Sequence, residues 1–157
     1  MQHRMKEFTL ESDKITAILE KSPVGHISTI GSDGYPYTVC VHYIMDNGCF
    51  YFHGLPVGEK LDNISRCPKV CLEVSEFTKI MNEAIDTPCN ADAEYKSVVI
   101  RGDAEILTDA AEKEKMLGLI IDKYVPAMSG FKLPENMING TAVVKITPAS
   151  ITGKYHK

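Results

Sequence analysis

The residues best suited to chemistry lie in one short segment, Phe52-His-Gly-Leu-Pro-Val-Gly-Glu-Lys60. A helix is predicted after Gly58, and the first N–H groups of a helix point at whatever precedes it. Lys60 adds a positive charge in the first turn, where the helix dipole does not favour a cation. His53 precedes the turn, and its imidazole could donate to a phosphate or transfer a proton. The segment is therefore either a phosphate-binding turn or a plain strand-to-helix connection with a surface lysine.

Other catalytic motifs are absent from the sequence. The glycines and lysine of the segment have the wrong spacing for a Walker motif, and no Ser or Thr follows Lys60. There is no G-x-S-x-G elbow and no H-E-x-x-H helix. His26 and His42 lie on other predicted strands and are interpreted as structural hydrogen-bonding groups. A cofactor that brings its own chemistry fits these residues better than hydrolytic catalysis.

The cysteines predict neither a metal site nor a disulfide framework. They form no C-x-x-C pair, and no histidine pair nearby completes a zinc site. Free thiols are typical of a reducing cytoplasm, which is the expected location. The five are Cys40, Cys49, Cys67, Cys71 and Cys89.

Length and composition indicate one globular domain over residues 1–157. Hydrophobic residues make up 44% of the chain and charged residues 24%. Lys plus Arg number 17 against 21 for Asp plus Glu, and the absence of a basic run argues against nucleic-acid binding. No apolar run approaches the about 18 residues of a membrane span, and the N-terminus does not look like a signal peptide.

The elements that must position the site are mostly strands. Six strands are predicted, at 24–30, 36–45, 49–53, 69–75, 95–107 and 141–146. Helices are predicted at 11–21, after Gly58 and from Asp109 to Tyr124, with Ser12 and Asp109 as N-caps. Segments 76–93 and 125–139 are predicted loops, and Gly102 predicts a bend in its strand. The fold class is mainly β (α+β), a six-stranded antiparallel barrel with peripheral helices.

The strand at 36–45 has no charged residue on either face. One face consists of Tyr37, Val39, Val41, Tyr43 and Met45, and the other of Thr38, Cys40, His42 and Ile44. In an antiparallel sheet one face normally meets water, so a further covering layer is expected here. That layer is a subunit, a helix or a planar ligand.

Taken in order, these segments resemble a known family. They are Gly25-His-Ile-Ser-Thr29, Gly34-Tyr-Pro-Tyr-Thr-Val-Cys-Val-His-Tyr43, Phe50-Tyr-Phe-His-Gly54, Gly58-Glu-Lys-Leu61, Pro68-Lys-Val-Cys71, Tyr95-Lys-Ser-Val98 and Gly102. Over about residues 10–153 the chain resembles the FMN-binding split-barrel superfamily of pyridoxamine 5′-phosphate oxidase. Within it, the chain is most similar to the nitroimidazole-resistance-like branch, in which a Tyr-Phe-His stretch precedes a Gly-x-Lys.

The resemblance implies a homodimer with FMN, or else FAD, in clefts between the subunits. It places the flavin ring along a four-residue stretch, largely through backbone groups, and the phosphate at His53, Gly54 and Lys60. It implies that Ser97 contacts the flavin from the partner subunit. The stretch along the ring is Thr38, Val39, Cys40 and Val41.

The implied activity is an oxidoreductase that reduces nitro-aromatic or similar small acceptors, with His53 as the protonating side chain. Two departures matter: Glu59 stands where the oxidases carry an arginine, and the oxidases' C-terminal pyridoxal-phosphate segment is not recognisable. Oxidation of pyridoxamine phosphate is therefore not expected. The alternatives are a flavin-binding module without turnover and a heme binder with His26, His42 or His53 as the axial ligand.

Overall fold

An antiparallel sheet dominates the computed structural model, which describes residues 7–81 and 87–156. Its strands are β1 (Gly25–Ile30), β2 (Pro36–Val41), β3 (Tyr43–Asp46), β4 (Cys49–Gly54), β5 (Lys69–Met81), β6 (Asp92–Ile106) and β7 (Ala142–His156). The helices are α1 (Ser12–Lys21), α2 (Glu59–Arg66), α3 (Ala110–Tyr124) and α4 (Glu135–Gly140), and single helical turns lie at Pro88–Asn90 and Pro126–Met128. None of the helices in these ranges is long and apolar enough to cross a bilayer.

The sheet curls around a core to which every strand contributes. The strand order is β2-β1-β5-β6-β7-β4-β3, so the two edge strands are neighbours in the chain. The inner face buries side chains such as Ile27, Tyr43, Phe52, Leu72 and Ile100, all at 1% exposure or less. A second cluster lies outside the curl, where α3 packs on β3 and β4. Alternation along the strands thus places one face inside and leaves the other for helices, ligands or solvent.

The predicted six-stranded barrel is corrected to seven strands in a sheet that does not close. The predicted strand at 36–45 is divided at His42 into β2 and β3. The hydroxyl of Tyr124 accepts from the Tyr43 N–H at 2.9 Å and donates to the Tyr43 carbonyl at 2.8 Å. Both backbone groups are therefore satisfied by a side chain, so no strand is needed to pair with them.

The predicted loop at 76–93 is wrong at both ends, because β5 continues to Met81 and β6 begins at Asp92. Residues 82–86 of that prediction lie outside the described residues. A register shift between Phe77 and Lys79 disrupts the simple alternation that a strand prediction needs. The predicted loop at 125–139 likewise contains the single turn at Pro126–Met128 and the start of α4.

The predicted end of the last strand at residue 146 is also wrong, since β7 runs to His156 through Pro148. Pro148 pairs with Gly102 at a register shift, and proline is tolerated in strands at such bulges. The register shift lies between Arg101 and Gly102, at the glycine for which the bend is predicted, and a Cβ on Gly102 would overlap the Thr147 carbonyl oxygen.

The two predicted N-caps have different outcomes. Asp109 caps α3, where its carboxylate accepts from the Glu112 N–H at 2.8 Å. Ser12 is the first helical residue of α1, and the N-cap position belongs to Glu11, which makes no side-chain capping bond.

Candidate functional site

The outer face of β2 is open in the single chain. Thr38, Cys40 and the adjoining His42 are exposed, although none of them carries a full charge. The Thr38 hydroxyl has a local partner, since it lies 2.8 Å from the hydroxyl of Ser28 on β1. β2 is also an edge strand that pairs only with β1. Its outward backbone groups are therefore available to a ligand or to another chain.

Two adjoining depressions lie beside this strand. The helix depression has a volume of about 280 Å³ and is lined by Tyr37, Val39, Cys40, Leu55, Val57, Gly58, Glu59, Lys60 and Leu61. The histidine depression has a volume of about 230 Å³ and is lined by Val24, Cys40, Val41, His42, His53 and Lys60. Because Cys40 and Lys60 line both, the two depressions form one continuous candidate site.

Lys60 is a half-buried cation at the centre of this site. Its ammonium lies 4.8 Å from the centre of the Phe52 ring, and burial lowers its pKa. Among residues 7–81 and 87–156, no carboxylate forms an ion pair with it. A Cβ on Gly54 would lie 3.6 Å from the same ammonium. The turn therefore leaves a charged group desolvated and ready for an anionic partner.

The start of α2 adds backbone donors to the same place. Gly58 is the N-cap residue, with a φ of 129° that L side chains rarely adopt, and no side chain caps the helix. The N–H groups of Leu61 and Asp62 donate to the Gly58 carbonyl at 2.9 and 3.2 Å, so the helical pattern leaves the preceding N–H groups, those of Glu59 and Lys60, without an acceptor within the helix. Leu61 and Ile64 are buried and fix the orientation of the helix on the core.

His53 is a half-buried histidine of the site. It lies on β4 opposite Val143 of β7, and in the part of the chain described its Nδ1 is buried without a hydrogen-bond partner. Burial lowers its pKa, and the nearby His42 and Lys60 lower it further. The imidazole therefore resists protonation unless a negative charge enters the depression.

His42 is the functional candidate that the sequence analysis did not include in the flavin site. It is exposed at the junction of β2 and β3, and its ring stacks on Tyr124 with 4.6 Å between centroids. One signal in the sequence could have identified His42 as a site residue: it lies on the same strand face as Thr38 and Cys40. The stacking partner lies on α3, so no local pattern could have identified it.

The structure brings most of the predicted residues together, and leaves a few apart. Val39, Cys40, Val41, His53 and Lys60 line the two depressions, and Gly54 adjoins Lys60. Ser97 lies on β6, opposite Ser75, and lines neither depression. Its assignment to the partner subunit's site stays a prediction.

The remaining histidine of the predicted set lies elsewhere. The His26 Nδ1 is 3.4 Å from a carboxylate oxygen of Glu73, and the ring lines neither depression. Among the described residues no group of His, Cys, Asp and Glu is arranged to hold a metal ion.

Comparison with solved structures shows the same fold in several proteins. The flavocytochrome Anf3 from Azotobacter vinelandii has a TM-score of 0.87 and 21% identity, over 99% of this chain and 72% of that one. An FAD and heme binding protein from Mycobacterium smegmatis has a TM-score of 0.84 and 12% identity, over 94% and 72% of the two chains. A candidate 5-nitroimidazole antibiotic resistance protein from Bacteroides thetaiotaomicron has a TM-score of 0.81 and 23% identity, over 94% and 86%. At these identities the likeness establishes the fold alone.

A comparison with family models identifies the family. No curated protein matched the chain. The model described as pyridoxamine 5′-phosphate oxidase matches residues 11–155, nearly the whole length. The matched range includes β2, the His53 turn, α2 and both depressions. The chain therefore belongs to the pyridoxamine 5′-phosphate oxidase-like family.

Proposed function

We propose that this protein is a homodimeric flavoprotein that holds FMN in the two depressions and reduces nitro-aromatic or similar small acceptors. The observation that carries the proposal is the half-buried Lys60 ammonium, which has no carboxylate partner in the described ranges and stands at the start of α2. Flavin-binding proteins with the same fold support it.

The residues present fit a flavin. Lys60 and the first N–H groups of α2 would hold the phosphate, as helix starts do for anions. The free edge of β2 would hold the ring through backbone groups of Thr38, Val39, Cys40 and Val41. Gly54 lies beside the ammonium, since a Cβ on it would be in van der Waals contact with Lys60 at 3.6 Å. The acidic Glu59 stands beside Lys60, so this site offers the phosphate a single ammonium group.

A second subunit would complete the site. Leu55 and Val57, which line the helix depression, are 76% and 75% exposed. Apolar side chains exposed this far beside an open cleft are typical of a surface that another chain covers. The partner would also bring Ser97 to the flavin, which one chain alone does not do.

In the proposed reaction, the cofactor would transfer the electrons and the protein would transfer the proton. When bound, the flavin supplies the electrons that reduce the acceptor. His53 would take up a proton when the negative charge of the bound cofactor offsets the lowering of its pKa, and it would then deliver that proton to the acceptor. The apolar lining from Val24 and Val41 would limit access of water to that proton.

Cofactor retention by lysine variants tests the proposal. We expect Lys60→Ala and Lys60→Gln to bind FMN about tenfold to a hundredfold more weakly, because a charge-assisted phosphate contact is lost. Lys115→Ala is the matched control, since Lys115 pairs with Asp46 on another part of the surface. Mass spectrometry of the released cofactor distinguishes FMN from FAD. Undiminished FMN retention by both Lys60 variants would remove the phosphate assignment.

A heme-binding function is the second candidate, and one observation favours it. His42 and His53 line the same depression, so either imidazole could serve as an axial ligand. Of the proteins with the same fold, one is an FAD and heme binding protein and another is a flavocytochrome. His26 does not line this depression, and its imidazole lies near Glu73 instead. An absorption spectrum separates the candidates, because an intense Soret band would replace the flavin bands. Reduction of the bound flavin by NAD(P)H, followed by oxidation with an acceptor, separates an enzyme from a binding module.

A further inference from the structure

A third depression, which we call the sheet depression, lies on the outer side of β1, β5 and β6. Its volume is about 400 Å³, which exceeds that of the helix depression and that of the histidine depression. It shares no lining residue with either of them, so a molecule bound there leaves the proposed cofactor site unoccupied. The sheet depression is lined by Ser28, Thr29, Ile30, Pro36, Lys69, Val70, Cys71, Arg101, Gly102, Asp103 and Ala149.

Arg101 gives the sheet depression an unpaired positive charge. Its guanidinium forms no ion pair or hydrogen bond with any residue of the described ranges. The other two charged residues of the lining, Lys69 and Asp103, pair with each other, with 3.8 Å between Nζ and Oδ1. Burial raises the pKa of the Cys71 thiol, which therefore carries no charge near pH 7. The lining has an excess of one positive charge, which matches a carboxylate better than a doubly charged phosphate.

A row of paired residues connects Arg101 with the strand that is proposed to hold the flavin ring. Arg101 of β6 lies opposite Cys71 of β5, which in turn lies opposite Ser28 of β1. Ser28 lies opposite Thr38 of β2, and their hydroxyls are 2.8 Å apart. Residues paired in this way project from the same face, and three strand spacings amount to about 14 Å. Because the side chain of Arg101 covers part of this span, a molecule of about one ring fits the remainder.

The walls of the sheet depression suit an apolar body attached to the carboxylate. Four of the lining residues are apolar, namely Ile30, Pro36, Val70 and Ala149. Ligand sites typically combine such walls with a few polar groups that fix the orientation of the ligand. A guanidinium is suited to that task, because its planar fork can donate two parallel hydrogen bonds to one carboxylate.

We infer that the sheet depression binds a small carboxylic acid with an apolar body, and that Arg101 holds its carboxylate. The far end of such a molecule would lie near Thr38, beside the proposed flavin ring. The substrate class of the proposed oxidoreductase is then an acceptor whose carboxylate and reducible group stand at opposite ends of one ring. This role as the acceptor rests on the proposed function, whereas binding of the acid requires only the residues of the depression.

The test uses 4-nitrophenylacetate and the uncharged 4-nitrophenylacetamide, which has nearly the same shape, titrated calorimetrically into the protein as purified. We expect wild type to bind the acid about tenfold more tightly than the amide, because only the acid forms a charged pair with a guanidinium. Arg101→Gln should remove this preference. Arg101→Lys should retain part of it, since it keeps the charge without the planar fork.

A control variant and a second readout accompany these titrations. Lys115→Gln is the matched control, because it removes one positive charge from a different part of the surface, where Lys115 pairs with Asp46. We expect Lys115→Gln to keep the preference for the acid. The FMN content of each variant is measured by absorbance, and Arg101→Gln should retain as much FMN as wild type. Circular dichroism verifies that each variant is folded.

The outcomes separate this inference from the proposed function. Equal affinity of wild type and Arg101→Gln for the acid overturns the site in the sheet depression, whatever the flavin content. An equal loss in Lys115→Gln also overturns it, since the effect would then be one of net charge. A loss of FMN in Arg101→Gln as large as that in Lys60→Gln would place the arginine in the cofactor site and overturn the separate site. A protein that takes up no flavin overturns the proposed function, and a preference for the acid that depends on Arg101 still supports this inference.

Discussion

His53 combines two properties that a purely structural histidine rarely has. Its Nδ1 is buried without a partner among the described residues, and its ring lines an open depression. Unsatisfied buried polar atoms are uncommon and usually have a functional reason. We propose that the reason at this position is an exchangeable proton or a ligand contact, which is the role that the resemblance implied.

The lowered pKa of His53 predicts a pH-dependent stability. Below its ordinary pKa of about 6.5, the unfolded chain takes up a proton that the folded chain resists. The free energy of unfolding should therefore fall as the pH drops from about 6.5 through the lowered pKa, and His53→Gln should remove part of that loss. Urea unfolding of the ligand-free protein at about pH 7.5 and about pH 5 measures it.

The comparison needs a control that also removes one histidine. His26→Gln serves, because it changes an imidazole on β1 outside the depressions. A difference between wild type and His53→Gln that is the same at both pH values would contradict the prediction.

Sequence reasoning found the residues whose signal is local. Lys60, Gly54 and His53 lie within one short segment, so order and spacing were enough to group them. His42 was not included in the predicted flavin site. The ring on which it stacks belongs to Tyr124, which is 82 positions away in the sequence (124 minus 42). Contacts over such separations depend on how α3 packs against the sheet, and no alternation pattern reports that.

At the scale of elements, contacts from α3 stabilise the break between β2 and β3. The hydroxyl of Tyr124 forms hydrogen bonds with both the N–H and the carbonyl of Tyr43. The ammonium of Lys123 lies 4.2 Å from the centre of the Tyr43 ring. Tyr43 in turn donates its own hydroxyl to the Leu19 carbonyl of α1 at 2.8 Å. Two helices and an edge strand thus meet at one residue.

Removal of the Tyr124 hydroxyl should destabilise this junction. Tyr124→Phe keeps the stacked ring but leaves the Tyr43 N–H and carbonyl without this partner, at a cost of about 1–3 kcal/mol in the free energy of unfolding. Amide exchange at Tyr43 should quicken, because its acceptor is lost. Tyr35→Phe is the control, since Tyr35 is 74% exposed. Unchanged exchange at Tyr43 in Tyr124→Phe would show that the hydroxyl does not hold the strand.

Element prediction succeeded where the pattern and the capping chemistry agreed. α3 was found through its N-cap Asp109. The strands predicted at 36–45 and 49–53 are joined by a turn at Asn47 and Gly48, which have φ of 48° and 77°. The long extensions of β5 and β7 were missed, because a register shift in β5 and Pro148 in β7 interrupt the alternation there. Pairing with neighbouring strands overrides weak local preference in such segments.

At the scale of the whole molecule, the open face of β2 and the exposed Leu55 and Val57 lead to one prediction. The protein should sediment at about twice the chain mass of 17.4 kDa. Val57→Lys should weaken the dimer and the retention of flavin together, because one surface serves both. Met137→Lys is the control, since Met137 is 57% exposed on α4. Analytical ultracentrifugation with simultaneous detection of flavin absorbance measures both, and full flavin content in a monomer would contradict the shared surface.

The mainly β fold class followed from the number and spacing of strands. The structure differs from the prediction by the division at His42, which gives a seventh strand, and by a sheet that does not close. What a single sequence could not provide is the curvature of the sheet. Curvature decides which outer face forms the walls of a cleft, and it arises from twist and bulges distributed over long strands.

One consequence of the His42 junction concerns how the molecule can move. Val41 and Tyr43 belong to opposite edges of the sheet order, yet only His42 separates them. Two Cα steps span at most about 7.6 Å, so the edges cannot separate at this corner. If β2 and β3 move apart, the gap between them must therefore open as a wedge. It stays narrowest beside the imidazoles of His42 and His53 and is widest between Pro36 and Asp46.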